Sequence, residues 1–552
     1  MELEHYNLID EPWIKVVALD GSERVYGLKE LFTRAHELSF LAGETELQNV
    51  AVLRMLVAIS VTSMYRYDSR GNRLDITNRR EAISRYKELW NQQKFTDEMT
   101  TYLNTWHARF DLLDEEYPFY QVPGKYRKRM EGKPDSKNKA GITYLLDPYG
   151  DSDKLGWVGA TGFNGEILQS GNTVSPFSTK SGLSGYSMTF AESARWLIYY
   201  MSFADCASKI PGKWNAGMTF ASSGALIRPA GKNLFETVML CSVLLDQNER
   251  IYPKVSPAWE HESYTRINAL PYGETMPNNL PELYTQQARK VIIHRVENRV
   301  DGIYVAAGDR YGIVNSFIEP MFAFRVDRTD KSGNTLKPKH FYENEMGWKN
   351  FEAILGSVEK CYSKPSRWID ILFDEEVLPD EANIPYIMTD IGYGNMSCGV
   401  TYTINTSVVI NKKYFKDSSL LRDAKVEAER ISKISGFIRQ LGIDIDLAYG
   451  AKKNKNGGLE TSVGEELQKE YERAIGNEFL LFLENKMQII DIRKKEVDLA
   501  EKTVSNILKN INLLGYIGHG EECTVGKAEV VFYNKLMGVK KELGLTGGEK
   551  RE

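Results

Sequence analysis

Proline divides this chain more sharply than any other residue. All 18 prolines of the 552 residues stand at or before Pro385, which leaves 167 residues with none. A helix interior excludes proline, because the ring removes a hydrogen-bond donor and collides with the preceding turn. The proline-free tail also has helical periodicity. Ile431, Ile434, Ile438 and Leu441 share one face, and Leu467, Tyr471, Ala474 and Phe482 share another. Val497, Ala500, Val504, Ile507 and Ile511 form a third face, and Val531, Leu536, Val539 and Leu543 a fourth. Four amphipathic segments with short breaks predict a four-helix bundle over 411–552. Lys452 to Gly458 reads as a polar turn, with Ser462 and Glu465 in capping-box spacing after it. Gly515, Gly518 and Gly520 mark a further break.

Residues 1–410 read as one large mixed α/β domain, so the fold class expected is α+β. Asp20-Gly21 is a hairpin turn signal between Trp13–Val17 and Arg24–Tyr26. Leu28–Glu37, Glu46–Tyr67 and Phe190–Phe203 read as helices, and Val291–Val296 and Gly302–Ala307 as strands. Residues 145–190 are rich in Gly, Ser and Thr with little periodicity, which predicts a functional loop.

Several function classes are disfavoured. The chain has no P-loop, no dinucleotide-binding glycine pattern after a strand, no HExxH and no G-x-S-x-G elbow. Its five cysteines lie at 206, 241, 361, 398 and 523, too scattered for a zinc ribbon or a disulfide framework. His340 and Glu343 form only an isolated HxxE. The acidic pairs Asp444/Asp446 and Asp114-Glu115-Glu116 leave a metal-dependent nuclease as an alternative. Neither a cofactor nor a metal is expected. The N-terminus carries no signal-peptide pattern, and Val50–Val61 is interrupted by Arg54 and Ser60. A cytoplasmic protein without a membrane partner is expected.

The formal net charge is −5, so any nucleic acid must be held by local basic patches. One such patch is Lys125, Arg127, Lys128, Arg129, Lys133, Lys137 and Lys139, read as a flexible basic loop that could neutralise phosphates. Pro211 to Gly217 is a glycine-bracketed turn whose backbone could approach a groove closely. Gly392 to Gly399 reads as a hairpin tip with side chains small enough to enter a base-pair step. Ordinary loops would explain each of these alone.

Taken in order, these stretches resemble a known family. Asn7-Leu8-Ile9-Asp10-Glu11-Pro12-Trp13-Ile14, then Arg34-Ala35-His36-Glu37-Leu38, is similar to the start of CasA proteins. Glu116-Tyr117-Pro118-Phe119-Tyr120-Gln121, Phe190 to Trp196, Phe317 to Met321 and the Gly392-Tyr393 hairpin continue the likeness. CasA proteins are the large subunits of Cascade, the type I-E CRISPR surveillance complex. The resemblance implies a non-catalytic subunit that reads a short protospacer-adjacent motif in double-stranded DNA and promotes strand opening, while CRISPR RNA pairing reads the target. It implies partners: CRISPR RNA, target DNA, CasB, CasC, CasD, CasE and a recruited helicase–nuclease. It also implies three loops. Ser170, Gly171 and Asn172 would reach the RNA handle and neighbouring subunits. Gly212, Lys213, Trp214, Asn215 and Ala216 would face the minor groove of the motif. Asn395, Met396, Ser397 and Cys398 would wedge the first base pair, with Met396 or Ser397 where some members carry glutamine. A family lysine would fall near Asn315.

Overall fold

In the computed structural model, residues 2–131, 141–146, 153–166, 186–204, 218–261, 276–341, 347–356, 364–394, 399–451, 463–511 and 524–545 are described. The chain forms two compact units. The first comprises Met1–Glu343, Ala353–Pro379 and Tyr386–Thr406. The second comprises Asn344–Glu352, Asp380–Pro385 and Ser407–Glu552.

The first unit opens with the sheet β2-β1-β3, in which Ile14–Ala18 (β1) pairs antiparallel with Glu23–Tyr26 (β2) and Leu38–Leu41 (β3). Leu28–Arg34 (α1) follows β2, and Ala35–Glu37 continues it as a 3-10 turn. The core is organised on Glu46–Arg66 (α2), capped by Thr45, whose side chain accepts from the Gln48 N–H. Every residue from Leu47 to Tyr65 except Asn49 is buried, as expected of a helix apolar on all sides. By length and composition this helix could cross a membrane, but 94% of its most apolar window is buried inside the protein. Asp97–Thr105 (α4), Phe190–Phe203 (α5), Leu234–Cys241 (α6) and Leu280–Tyr284 (α7) pack on it, with Arg79–Gln92 (α3) also in contact.

A basic ribbon, β4-β5-β6, runs through Arg127–Glu131, Ile142–Leu146 and Asp153–Lys154. A second sheet has the order Gly156–Gly159 (β7), Arg299–Ala307 (β10), Arg289–Val296 (β9). Val122, Leu155, Ile292, Tyr304 and Ala306 form a core cluster, with Tyr126, Ile142, Tyr144 and Trp157 packed against it. Within the 145–190 stretch read as a functional loop, Asp153–Lys154 and Gly156–Gly159 are strands and Ala160–Phe163 a short helix, and 147–152 and 167–185 lie outside the described residues. Phe324–Val326 (β11) pairs with Leu336–Pro338 (β12). Leu226–Pro229 (β8) pairs with Asn383–Tyr393 (β13), and Val400–Asn411 (β14) lies on the other side of β13. Arg367–Asp374 (α8) completes the described helices of eight residues or more in this unit.

The second unit contains Ser418–Ala448 (α9), Val463–Leu483 (α10), Ile489–Leu508 (α11) and Val525–Glu542 (α12). α9 packs against the other three and α10 against α11, a four-helix bundle. Ile431, Ile434, Ile438 and Leu441 are buried as the periodicity required. Two phases needed correction. In α10 the buried line is Leu467, Tyr471, Ile475, Phe479 and Phe482, with Ala474 only half-buried. In α12, Val531 is exposed, because Val525, Ala528, Phe532, Leu536 and Val539 set the inward face. Gly442 and Gly464 bring α9 and α10 together at a spacing that a Cβ on either would block. The turn at 452–458, Ser462 and the glycines at 515–520 lie outside the described residues.

Candidate nucleic-acid interface

The site is built around α5. Its N-terminus is fixed by a full capping box: the Thr189 hydroxyl accepts from the Glu192 N–H at 3.2 Å, and the Glu192 carboxylate accepts from the Thr189 N–H at 2.9 Å. Fourteen helical residues then span about 20 Å. Just before the helix, Asn164 is fully buried and joins Glu166 to Tyr186. Its side-chain oxygen accepts from the Glu166 N–H and its amide donates to the Tyr186 hydroxyl, both at 2.9 Å. The two ends of segment 167–185 are therefore held by one side chain.

At the other end of α5, Ser202, Phe203 and Ala204 offer carbonyls that no further helical turn can satisfy. Thr219 donates its hydroxyl to the Ser202 carbonyl. Tyr393 donates to the Phe203 carbonyl at 2.7 Å, and buried Arg289 donates to the Ala204 carbonyl at 3.2 Å. The segment 205–217 therefore leaves and returns at a clasped junction, and β13 is tied to the same place.

β13 and β14 carry the hairpin. The Gly394 N–H donates to the Gly399 carbonyl at 2.9 Å, closing the ladder below the tip. Gly399 has φ +72°, which glycine adopts freely. A Cβ on Gly392 would overlap the Tyr402 ring, so glycine is required there too. Asp390, buried on β13, accepts from the Phe341 and Ile391 N–H groups at 2.7 and 2.8 Å and pairs with His340 Nδ1 at 3.0 Å. His340 thus serves this network.

The basic segment is only partly a loop. Lys125 lies in a 3-10 turn, while Arg127, Lys128 and Arg129 are on β4, whose register with β5 runs from Arg127↔Leu146 to Glu131↔Ile142. Backbone pairing with Ile142–Leu146 overrides the flexibility that its charge and glycine suggested. Lys128 and Arg129 are exposed, and β4 is the edge of its sheet, so the charges line a strand open to solvent. Lys125 lies over the Tyr126 ring at 4.8 Å, and Arg127 donates to the Glu115 carbonyl at 3.1 Å. Lys133, Lys137 and Lys139 lie outside the described residues, as do Ser170, Gly171 and Asn172, Gly212 to Ala216, and Asn395 to Cys398. Asn315 is in the left-handed region at φ +51°, and its side-chain oxygen accepts from the Leu336 N–H at 2.9 Å. That is a turn-holding role.

The acidic pairs do not converge on a site. Asp114 accepts from the Glu116 and Tyr117 N–H groups, which makes it a turn. Asp444 accepts from Gln440 one turn back on α9, and Asp446 is buried. Among the described residues no group of three or more His, Cys, Asp or Glu is placed to hold a metal.

A family model described as CRISPR-associated protein Cse1 matches residues 7–509. The chain belongs to the Cse1 family. A curated CasA/Cse1 protein of Thermus thermophilus is 26% identical over 363 residues, which are 64% of this chain. The match spans 61% of that relative's length. Among solved structures, Cse1 of Thermobifida fusca superposes with TM-score 0.76 at 21% identity, covering 99% of each chain. T. thermophilus CasA (Cse1) superposes with TM-score 0.69 at 18% identity, covering 98% of this chain and 100% of that one. A chain from a structure titled CRISPR RNA-guided surveillance complex gives 0.67 at 12%, covering 97% and 100%. The Cse1 fold thus extends over nearly the whole chain.

The stretches that carried the Cse1 likeness are largely framework. Asp10 pairs with His107 at 2.6 Å, and the Trp13 indole donates to the Leu8 carbonyl at 2.8 Å. Arg195 reaches both the Trp13 carbonyl at 2.6 Å and Glu44 at 2.5 Å. Burial acts to raise the Glu44 carboxyl, and Arg195 with Lys15 overcomes it, holding Glu44 down at about 2. Glu319 is fully buried against Arg54 at 2.6 Å and Tyr284 at 3.1 Å. The hydrogen bonds that Asn164, Thr219, Arg289 and Tyr393 make at the two ends of α5 were not foreseen. Tyr393 stood in the hairpin stretch and Asn164 in the 145–190 stretch already singled out, but neither residue was named for a role. A short polar residue between apolar ones gives no signal of which distant carbonyl it will meet.

Proposed function

We propose that this Cse1-family protein is the large, non-catalytic subunit of a CRISPR RNA-guided surveillance complex in the cytoplasm. It reads a short motif in double-stranded DNA and starts strand opening beside it. The observation that supports this most directly is the junction at the end of α5, which anchors segment 205–217 and the β13–β14 hairpin together. In this reading Gly212, Lys213, Trp214, Asn215 and Ala216 lie along the minor groove of the motif. Minor-groove edges are degenerate, so a backbone-rich loop there tolerates several motif sequences. Asn395, Met396, Ser397 and Cys398 enter the first base-pair step, at a cost of a few kcal/mol of unstacking. Phosphate contacts and the growing RNA–DNA duplex offset that cost. Lys213 and the basic residues of the β4 edge supply such contacts.

Ser170, Gly171 and Asn172 contact the RNA handle. The bundle bridges to CasB and the displaced strand, CasC, CasD and CasE complete the assembly, and the first unit recruits the helicase–nuclease.

The test is the RNA-loaded complex reconstituted with motif-bearing duplex. Lys213→Ala weakens binding uniformly across motif variants and lowers the salt slope by about one. Binding unchanged in an intact complex removes Lys213 from the interface. Met396→Ala with Ser397→Ala slows opening of a fluorescent base analogue beside the motif, and normal kinetics would sink the wedge assignment. The pure protein with Mg²⁺ or Mn²⁺ leaves labelled DNA intact; cleavage would favour the nuclease alternative.

A further inference from the structure

The last carbonyls of a helix need donors from elsewhere. At the end of α5, three in a row are taken by side chains from three other segments. Thr219 belongs to the chain returning from 205–217, Arg289 to β9 and Tyr393 to the hairpin. Arg289 is buried and pairs two framework elements. Tyr393 is different. It sits one residue before Gly394, where the ladder closes, and its hydroxyl reaches the carbonyl of the last residue of α5.

The hairpin near Tyr393 is held from its other neighbours as well. The Thr401 hydroxyl donates to the Gly392 carbonyl at 3.0 Å, and the Tyr402 hydroxyl to the Phe341 carbonyl at 3.2 Å. Two residues before Gly392, Asp390 is locked by backbone donors. These bonds stiffen the hairpin base and tie it to Phe341, and the Tyr393 hydroxyl ties it to α5. One phenolic oxygen thus links the hairpin to the start of segment 205–217.

We infer that Tyr393 is a positioning residue that makes duplex engagement and strand opening a single coupled event. The inference rests on the reading that these two segments face DNA. Without the hydroxyl, each segment keeps its own anchor, Thr219 for one and the Gly394–Gly399 closure for the other, but their relative position relaxes.

The experiment compares Tyr393→Phe with Thr219→Val in the assembled, RNA-loaded complex. Tyr393→Phe keeps the ring and removes one oxygen. It leaves affinity for motif-bearing duplex within about twofold and slows opening about fivefold, the scale of one net hydrogen bond. A duplex already mismatched at the first base pair restores Tyr393→Phe to wild-type rates of duplex invasion. Thr219→Val lowers affinity and opening together, and the mismatch does not restore it. Wild-type opening by Tyr393→Phe overturns the inference, as does an equal loss of affinity and opening, or a complex that no longer assembles. A wild-type complex that neither binds nor opens the duplex overturns the DNA-facing reading and the inference with it.

Discussion

The two units bury charge in different ways. In the first, several buried charges meet partners from far along the chain. Arg54 and Glu319 are 265 residues apart, Arg66 and Glu260 194, and Arg195 and Glu44 151. Glu319 and Arg54 pair one to one, whereas Arg85 is shared between Glu88 at 2.8 Å and buried Glu98 at 3.4 Å. In the bundle, two buried carboxylates compete. Glu427 takes Arg430 on its own helix and Arg493 from α11, at 2.9–3.0 Å for the latter. Glu496 is left with Arg430 at 3.5 Å, and no donor reaches its Oε1 among the described residues. Burial and the neighbouring Glu427 charge push the Glu496 carboxyl up to about 9. Glu496 is thus pushed toward its neutral form, while Arg195 and Lys15 hold Glu44 of the first unit ionised. In a nearby layer, Glu472 Oε1 accepts from Lys349, Ser435 and Gln468 at 2.5–3.0 Å.

The largest effect should come from breaking a one-to-one pair. Glu319→Ala strands Arg54 beside Tyr284 and should cost the first unit about 3–5 kcal/mol in denaturant unfolding. A loss below 1 kcal/mol would mean that Arg54 finds another partner and that the contrast with the bundle is false.

Glu427→Gln and Glu496→Gln should part company. Glu427→Gln leaves two arginines without their carboxylate and should cost the bundle about 2–3 kcal/mol. Glu496→Gln mimics the protonated form, so it should match wild type below the ordinary carboxylate range and be more stable than wild type at pH 7. The sign follows from the raised folded value. The contribution of Glu496 is fully present below the ordinary carboxylate range and is lost as pH rises through about 9. Wild-type bundle stability should fall across that window by up to about 1.4 kcal/mol per pH unit, and Glu496→Gln should flatten the fall. Equal slopes would show that Glu496 is ionised in the fold.

The smallest effect is local. Thr189→Ala removes one half of the α5 capping box and should cost about 1 kcal/mol without touching the buried pairs. A larger loss would show that the helix start also holds segment 167–185.

The bundle was the easier unit to read in advance. Helical periodicity and the absence of proline are local properties, so Ile431, Ile434, Ile438 and Leu441 of α9 and Val497, Ala500 and Val504 of α11 were legible as inward faces, while Ile507 and Ile511, read with them, are only half-buried. The slip at Val531 arose because α12 alternates apolar residues on both sides, and only packing chooses between them. In the first unit the turn at Asp20-Gly21, α2, α5, β9 and β10 were legible from turn residues and apolar runs. The basic ribbon was not, since Arg127–Arg129 have no strand pattern until Ile142–Leu146 pairs with them.

For the candidate interface, the sequence determined which residue types were available: glycines where backbones come close, a lysine and an aromatic at 213–214, small side chains at 395–398. It also determined a chain of net −5 in which nucleic-acid contacts must be local. Only the tertiary structure decided that Thr219, Arg289 and Tyr393 meet on three successive carbonyls of one helix. The physical reason is that an orphan carbonyl at a helix end has no sequence-encoded partner. Its donor is whichever side chain the packing of distant segments brings within hydrogen-bond distance, and that choice is made by the whole core at once.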